Sequence, residues 1–297
     1  HRWARSVRKA FLLTLPLVMS GALALLALNL PLPGYQNAMD SWWGPQWRPA
    51  LENTWKACLG LLSISVVFAT SHTLAGIATA RHRVETSPVA IALIALACYF
   101  ILTLPGKGLL GDGQTVPRGV FLSVLVGISA TEVFLFFRSF RGFNLTMLTE
   151  ADAELPAILK SVLPGMFTIG LFFALQYGLI APFAGSADHL TDRGIGCLFD
   201  LPGNALVRAL IFIVIAHLLW FVGIHGNNAL EPYYRAFLAP ATDANIQARL
   251  AGHLPTEIVT NAFLDTFVLM GGAGATAGLL IALLLVARRG SQRRLAW

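Results

Sequence analysis

Six long apolar runs, separated by short charged connectors, constrain this chain more than any other feature. They cover residues 11–30, 57–79, 88–104, 119–137, 162–183 and 205–222. A helix needs about 20 mostly apolar residues to cross the hydrocarbon of a bilayer, and each run approaches that length. The apolar residues are continuous rather than alternating, which excludes a strand-built barrel. Charged residues make up only 12% of the chain and hydrophobic ones 56%, against about 25% charged in ordinary soluble domains. The sequence therefore predicts an all-α integral membrane protein with about 6–7 transmembrane helices.

The net charge of +6 does not point to nucleic acid, because the cations cluster beside the apolar runs. The clusters are Arg2, Arg5, Arg8 and Lys9; Arg81, His82 and Arg83; Arg138 and Arg141; and Arg288, Arg289, Arg293 and Arg294. Positive charge on the cytoplasmic side of spans accounts for them, with the lipid bilayer as partner. With a cytoplasmic amino terminus the first three clusters share one side, and loops 31–56, 105–118 and 184–204 face outward. The first of these holds Trp42, Trp43, Trp47 and Trp55, which read as an aromatic belt at the interface; a stacking platform for sugar is the alternative. Cys58, Cys98 and Cys197 have no metal or redox spacing, and no phosphate loop, dinucleotide fingerprint or zinc pattern occurs. No cofactor or metal is expected. The chain opens on His1 rather than Met, which reads as a processed or excised segment; its first run is too long for a signal-peptide core.

Simple alternation of spans ends after residue 222. Residues 227–258 are polar, with a short surface helix predicted near 242–251. The last apolar run, 259–287, is interrupted by Gly271-Gly272-Ala273-Gly274. One crossing there would leave the Arg288–Arg294 cluster outside. Two accounts restore the rule: a re-entrant hairpin turning at the glycines, or an earlier half-helix within 227–258. Glycine-rich backbone at membrane depth is tolerated only inside protein or beside a wet cavity.

The sixth run ends in His217-Leu-Leu-Trp-Phe-Val-Gly-Ile-His-Gly-Asn-Asn228. An imidazole at the broken end of a membrane helix can bond a ligand hydroxyl and accept its proton, so His225 leads the candidates. Helix capping is its plainer role. Gly223 and Gly226 permit close backbone approach. Asn227 and Asn228 offer donors and acceptors for hydroxyls, or cap the helix. Glu231 could bridge hydroxyls, although Pro232 beside it favours a surface turn. Glu132, inside the fourth run, needs a partner; a helix-packing hydrogen bond is favoured over a substrate role. Asp265 could orient the glycine turn, and His217 could support His225.

Three stretches together resemble the membrane-embedded enzyme IIC component of the bacterial phosphotransferase system, in its lactose/cellobiose/chitobiose branch. They are Phe11-Leu-Leu-Thr-Leu-Pro16, the Trp-x-x-Gly-Ile-His-Gly signature ending at Gly226, and Phe263 to Leu280 with its Gly-Gly-Ala-Gly-Ala-Thr segment. The resemblance implies a partial enzyme IIC fold in the bacterial inner membrane. Residues 1–185 would be the five-helix dimerisation region of a homodimer. Residues 186–297 would begin the sugar-binding region, which carries sugar by an elevator-like shift. It also implies a small sugar, a disaccharide, as substrate, and an enzyme IIB partner that phosphorylates it. His225 would contact the sugar, with Gly223, Gly226, Asn227, Asn228 and Glu231 around it and Gly271, Gly272 and Gly274 supporting. The family's Asn-Glu-Pro hairpin, which supplies a sugar-binding glutamate, is absent before Trp297. The chain thus resembles the first two-thirds of such a domain and would not form a complete sugar site alone. Similar domains also occur as sensors fused to cyclic-di-GMP signalling domains, which is the alternative function.

Overall fold

The structure is a computed structural model that describes residues 2–82, 86–103, 119–140, 154–199, 204–222, 226–230 and 233–268. Every regular element among them is helical. The chain divides into two compact units, His1–Thr191 and Asp192–Trp297.

The first unit is built from α1 (Arg2–Leu28), α2 (Tyr35–Trp43), α3 (Trp47–Gly60), α4 (Leu62–His82), α5 (Pro88–Thr103), α6 (Val120–Ser139), α7 (Glu154–Leu175) and the short α8 (Ala181–Ala184). The first five apolar runs all fall on these helices. Among the described residues four stretches are long and apolar enough to cross a membrane: Arg2–Leu28, Trp47–Ala80, Val120–Ser139 and Leu159–Ala184. Pro88–Thr103 and Ala205–Trp220 are shorter apolar helices. At 1.5 Å per residue, the 16 residues of α5 reach about 24 Å.

α4 is the hub, touching α1, α3, α5 and α6, with Val66, Val67, Thr70, Ser71, Leu74 and Ala75 fully buried. Lipid tails are as apolar as leucine, so helices in a membrane gain from close backbone packing and small polar contacts. The α4–α6 seam uses both. The Ser71 and Thr131 hydroxyls are 2.7 Å apart and bonded. A Cβ at Gly127 would lie 3.1 Å from the Val67 carbonyl oxygen and from Thr70 Cβ. A second core joins Tyr99, Cys98 and Leu102 of α5 to Val126 of α6 and Phe172 of α7.

α1 begins nine residues before its apolar run because its basic end is tied down. Arg2 Nη2 donates to Glu132 Oε2 at 2.6 Å, and Trp3 Nε1 donates to Glu132 Oε1 at 2.6 Å. Glu132 is thus a helix-packing group, as favoured from sequence. The contact also places the start of α1 at the same end of the bundle as the Arg138 end of α6.

The loop 31–56 is mostly helical. Tyr35 Oη donates to the Ala27 carbonyl and Gln36 Nε2 to that of Leu28, filling acceptors that α1 leaves open at its end. Trp42 and Trp43 are exposed, at 78% and 73%, as an interface belt requires. Trp47 departs from that expectation. It is buried, its Nε1 donates to Asp40 Oδ1 at 2.8 Å, and Arg48 pairs with the other Asp40 oxygen. The indole anchors the loop internally.

α7 ends in a π turn, Gln176–Ile180, before α8. Gln176 is fully buried and donates from Nε2 to the Gly185 carbonyl at 2.8 Å. Gly185 takes the positive φ of 75° that closes the helix, a conformation costly for other residues.

The boundary between the units falls within α9 (Ala187–Phe199). The second unit continues with α10 (Ala205–Val222), α11 (Gly226–Ala229), a π turn at Tyr234–Leu238 and α12 (Ala239–Leu250). α12 is the helix predicted near 242–251. From within it, Asn245 binds both backbone groups of Glu257, donating to its carbonyl at 2.7 Å and accepting from its N–H at 3.0 Å. Thr260 then caps the short Asn261–Phe263 helix by accepting from Phe263 N–H.

Candidate functional site

The sixth apolar run forms one arm of a helical hairpin. α10 is the outgoing arm, and the segment from Gly226 to Leu238 returns along it. Gly226 lies against Ala216, Tyr233 against Phe212, and Phe237 against Arg208; those numbers rise on one arm as they fall on the other, so the arms are antiparallel. Helical residues therefore occur within the stretch 227–258, at Gly226–Ala229 and from Tyr234 to Leu250.

Gly226 is essential to the fold of the hairpin. A Cβ there would stand 2.3 Å from the Ala216 carbonyl oxygen and 2.8 Å from Ala216 Cα. No side chain fits against backbone at that range. The close approach that the sequence marks at Gly226 is, on the side its Cβ would occupy, an approach to the other arm. The joining residues Gly223, Ile224 and His225 lie outside the described residues. So do Glu231, Gly271, Gly272 and Gly274.

Asn227 opens the return arm. Its Oδ1 is buried and has no hydrogen-bond partner among the described residues. A buried acceptor left unpaired costs about 1–3 kcal/mol, so such an atom next to His225 in sequence is suited to receive a ligand hydroxyl. Asn228 follows on the same short helix. His217, further down α10, has Nδ1 2.7 Å from the Ile213 carbonyl oxygen. That bond requires the proton on Nδ1 and leaves Nε2 as an acceptor in the neutral ring. The Asp265 carboxylate falls on the π turn Leu264–Val268.

Below the tip the hairpin is held by rings. Tyr233 packs against Phe199 at 4.4 Å, Phe212 at 4.8 Å and Phe237 at 5.3 Å between centroids. The Arg208 guanidinium sits 5.0 Å over the Phe237 ring. Its Nε is buried without a hydrogen-bond partner, and no carboxylate pairs with it among the described residues. The sequence reading passes over Arg208, although a cation within the first turn of an apolar run is itself a signal.

The Phosphotransferase system, EIIC family model matches residues 8–296. The chain is 26% identical to the Lichenan permease IIC component of Bacillus subtilis (strain 168), over 99% of this chain and 67% of that one. It is 23% identical to the PTS system cellobiose-specific EIIC component of Geobacillus stearothermophilus, over 97% of this chain and 66% of that one. With the PTS system lactose-specific EIICB component of Streptococcus mutans it shares 23% identity over 92% of itself and 48% of the relative. It thus spans about two thirds of the length of the IIC relatives and about half of the IICB protein. The fold matches the crystal structure of the transporter ChbC, the IIC component from the N,N'-diacetylchitobiose-specific phosphotransferase system, with a TM-score of 0.63. That match covers 100% of this chain and 70% of the other at 22% identity. A chain whose described elements are helical, several of them of membrane-spanning length, and which one family matches from residue 8 to residue 296, belongs to the EIIC family of the phosphotransferase system.

Proposed function

We propose that this chain is the sugar-recognising and translocating membrane component of a phosphotransferase-type uptake system in a bacterial inner membrane. The observation that carries the reading is the family match across residues 8–296. Relatives are named for lichenan, cellobiose, oligo-beta-mannoside and lactose, all sugars with β linkages. The proposed substrate is therefore a small β-linked sugar such as a disaccharide. The proposed partners are an enzyme IIB and a second copy of the chain, with residues 1–185 forming the dimer contact and residues 186–297 beginning the sugar-binding part. The amino terminus is placed in the cytoplasm by its cations.

At the proposed site His225 accepts a hydrogen bond, and in the transfer step the proton, from a sugar hydroxyl. Asn227 Oδ1 accepts from a second hydroxyl and Asn228 contributes a further amide. Gly223 and Gly226 let the chain reverse tightly beside the sugar. Glu231, Gly271, Gly272 and Gly274 are the further residues proposed to contact the sugar.

The test uses the full-length protein purified in detergent. Cellobiose binding is followed by calorimetry, and sugar phosphate formation with an enzyme IIB is assayed in parallel. The expected results are saturable binding, phosphorylation in the presence of enzyme IIB, and loss of binding in His225→Ala with membrane assembly intact. Unchanged affinity in that variant would sink the assignment of His225. Binding without any phosphorylation would instead favour a sensor.

A further inference from the structure

One compact unit gives way to the other within α9, and the two ends of that helix are held in different places. At its start Ser186 is buried, and its Oγ accepts from the His189 N–H at 3.4 Å, capping the helix. Ala187 packs into the core of the first unit that also holds Tyr99, Leu102 and Ile180. The turn before it is clasped by Gln176, which donates to the Gly185 carbonyl. At the far end Phe199 is fully buried among rings of the second unit, 4.4 Å from Tyr233 and 6.5 Å from Phe212 between centroids. Each end of α9 is thus fixed, and each to a different unit.

Between these anchors stand Gly194 and Gly196, just past the boundary that follows Thr191. Neither has the positive φ that calls for glycine at Gly185. Neither permits a close approach, since a Cβ at either position would meet nothing within 4 Å among the described residues. In both respects they differ from Gly226, where the opposite arm leaves no room for a side chain. Glycine inside a helix weakens it relative to alanine, because its backbone has more freedom to lose. α9 has 13 residues, a length that is marginal for a helix without tertiary support. Alanine would fit both positions and stiffen the helix. The chain instead places its softest residues where the units join.

We propose that α9 is a flexural joint, on which the second unit turns against the first by bending at Gly194 and Gly196 about the buried Ile195. Hinges are a few residues that absorb a large change in φ and ψ while the bodies on either side stay folded. Ala187 and Phe199 keep their places in the two cores, so the motion is a turn of folded units and not a local unfolding of either. The joint stands on the anchors and glycines of α9 alone. Its part in carrying sugar rests on the uptake function proposed above.

The experiment uses pulsed electron paramagnetic resonance on the full-length protein in nanodiscs. Spin labels go on Ser41→Cys and Leu254→Cys, both exposed, with Cys58, Cys98 and Cys197 replaced by alanine and labelled chains diluted among unlabelled ones. The wild type is expected to show two distances whose proportions change with cellobiose. The Gly194→Ala, Gly196→Ala double variant should collapse them to one. Its sugar-phosphate turnover with an enzyme IIB should fall on the order of tenfold at unchanged cellobiose affinity, because a conformational step then limits the rate. It should melt no lower than wild type, since the new methyls meet nothing. Gly170→Ala, which removes another unobstructed helical glycine within the first unit, should keep both the distances and the turnover. A single distance in the wild type, with and without cellobiose, would overturn the joint. So would two distances that persist in the double variant while cellobiose still binds. Two distances that collapse in the variant although cellobiose binds neither protein would uphold the joint and sink the sugar reading instead.

Discussion

Glu132 in the first unit and Arg208 in the second are both charges set into apolar helices, and the chain treats them differently. Glu132 has each carboxylate oxygen bonded, one to Arg2 and one to Trp3. Arg208 rests on an aromatic face, with Nε buried and unpaired among the described residues. The same contrast holds for neutral groups near them. Ser71 and Thr131 satisfy one another, whereas Asn227 Oδ1 has no partner among the described residues. The first unit keeps orphans of its own, among them Thr70 Oγ1, Thr86 Oγ1 and Gln176 Oε1, so the contrast belongs to the Glu132 and Arg208 sites rather than to the units at large. An element whose charges are closed internally suits a rigid frame. A hairpin whose acceptor is left open suits a site that a ligand completes.

Gly226→Ala tests this contrast most severely. The new methyl would meet Ala216 backbone, which no rotamer change can relieve, so the two arms must part. Overpacking of that kind costs typically 1–3 kcal/mol, here about 3 or more. Thermal unfolding should show it, together with loss of sugar binding. Gly170→Ala is the control, because a Cβ there meets nothing within 4 Å; in the middle of α7 it should gain about 0.5–1 kcal/mol. Equal melting of the two variants would mean the hairpin arms are not tightly packed.

Asn227→Ala should separate stability from binding. The atom removed has no described partner, so the melting temperature should stay close to wild type. Sugar affinity should fall about tenfold, the weight of one hydrogen bond. A large drop in melting temperature with unchanged affinity would instead make Asn227 a structural residue.

The helices of both units are legible in the sequence because hydrophobic length is a local property. All six apolar runs fall on helices, although the run 57–79 divides between α3 and α4 at Leu61 and the ends shift, as at α1. What brings Arg2 to Glu132 is not local, since the two stand 130 positions apart; composition can say that Glu132 needs a partner but not which. Trp47 shows the same limit. Beside Trp42 and Trp43 it looks like one more interface indole, and only the fold brings Asp40 beneath it. At the hairpin, Gly226 signals close approach, yet a glycine does not say whether a ligand or a helix approaches. Tyr233 and Phe237 sit in a segment that reads as polar, and their spacing of four places both rings on one helix face. His225 and the Gly271–Gly274 turn fall outside the described residues, so they rest on the sequence and the resemblance.

The smallest expected effect sharpens the comparison furthest. The Arg2 and Glu132 side chains are 37% and 25% exposed, so solvent screens their attraction, and a double-mutant cycle with Arg2→Gln and Glu132→Gln should give a coupling of about 0.2–1 kcal/mol. The glutamine keeps an acceptor for Trp3, which isolates the charge from the shape. Arg208→Met is the counterpart, removing a cation while filling the same space. A guanidinium over one ring contributes about 0.5–1 kcal/mol, and the unpaired Nε offsets part of it, so the net change in melting should be smaller than for Glu132→Gln. A larger loss at Arg208 would show that the second unit closes its charge on a partner as the first does, and the distinction between frame and open hairpin would fail.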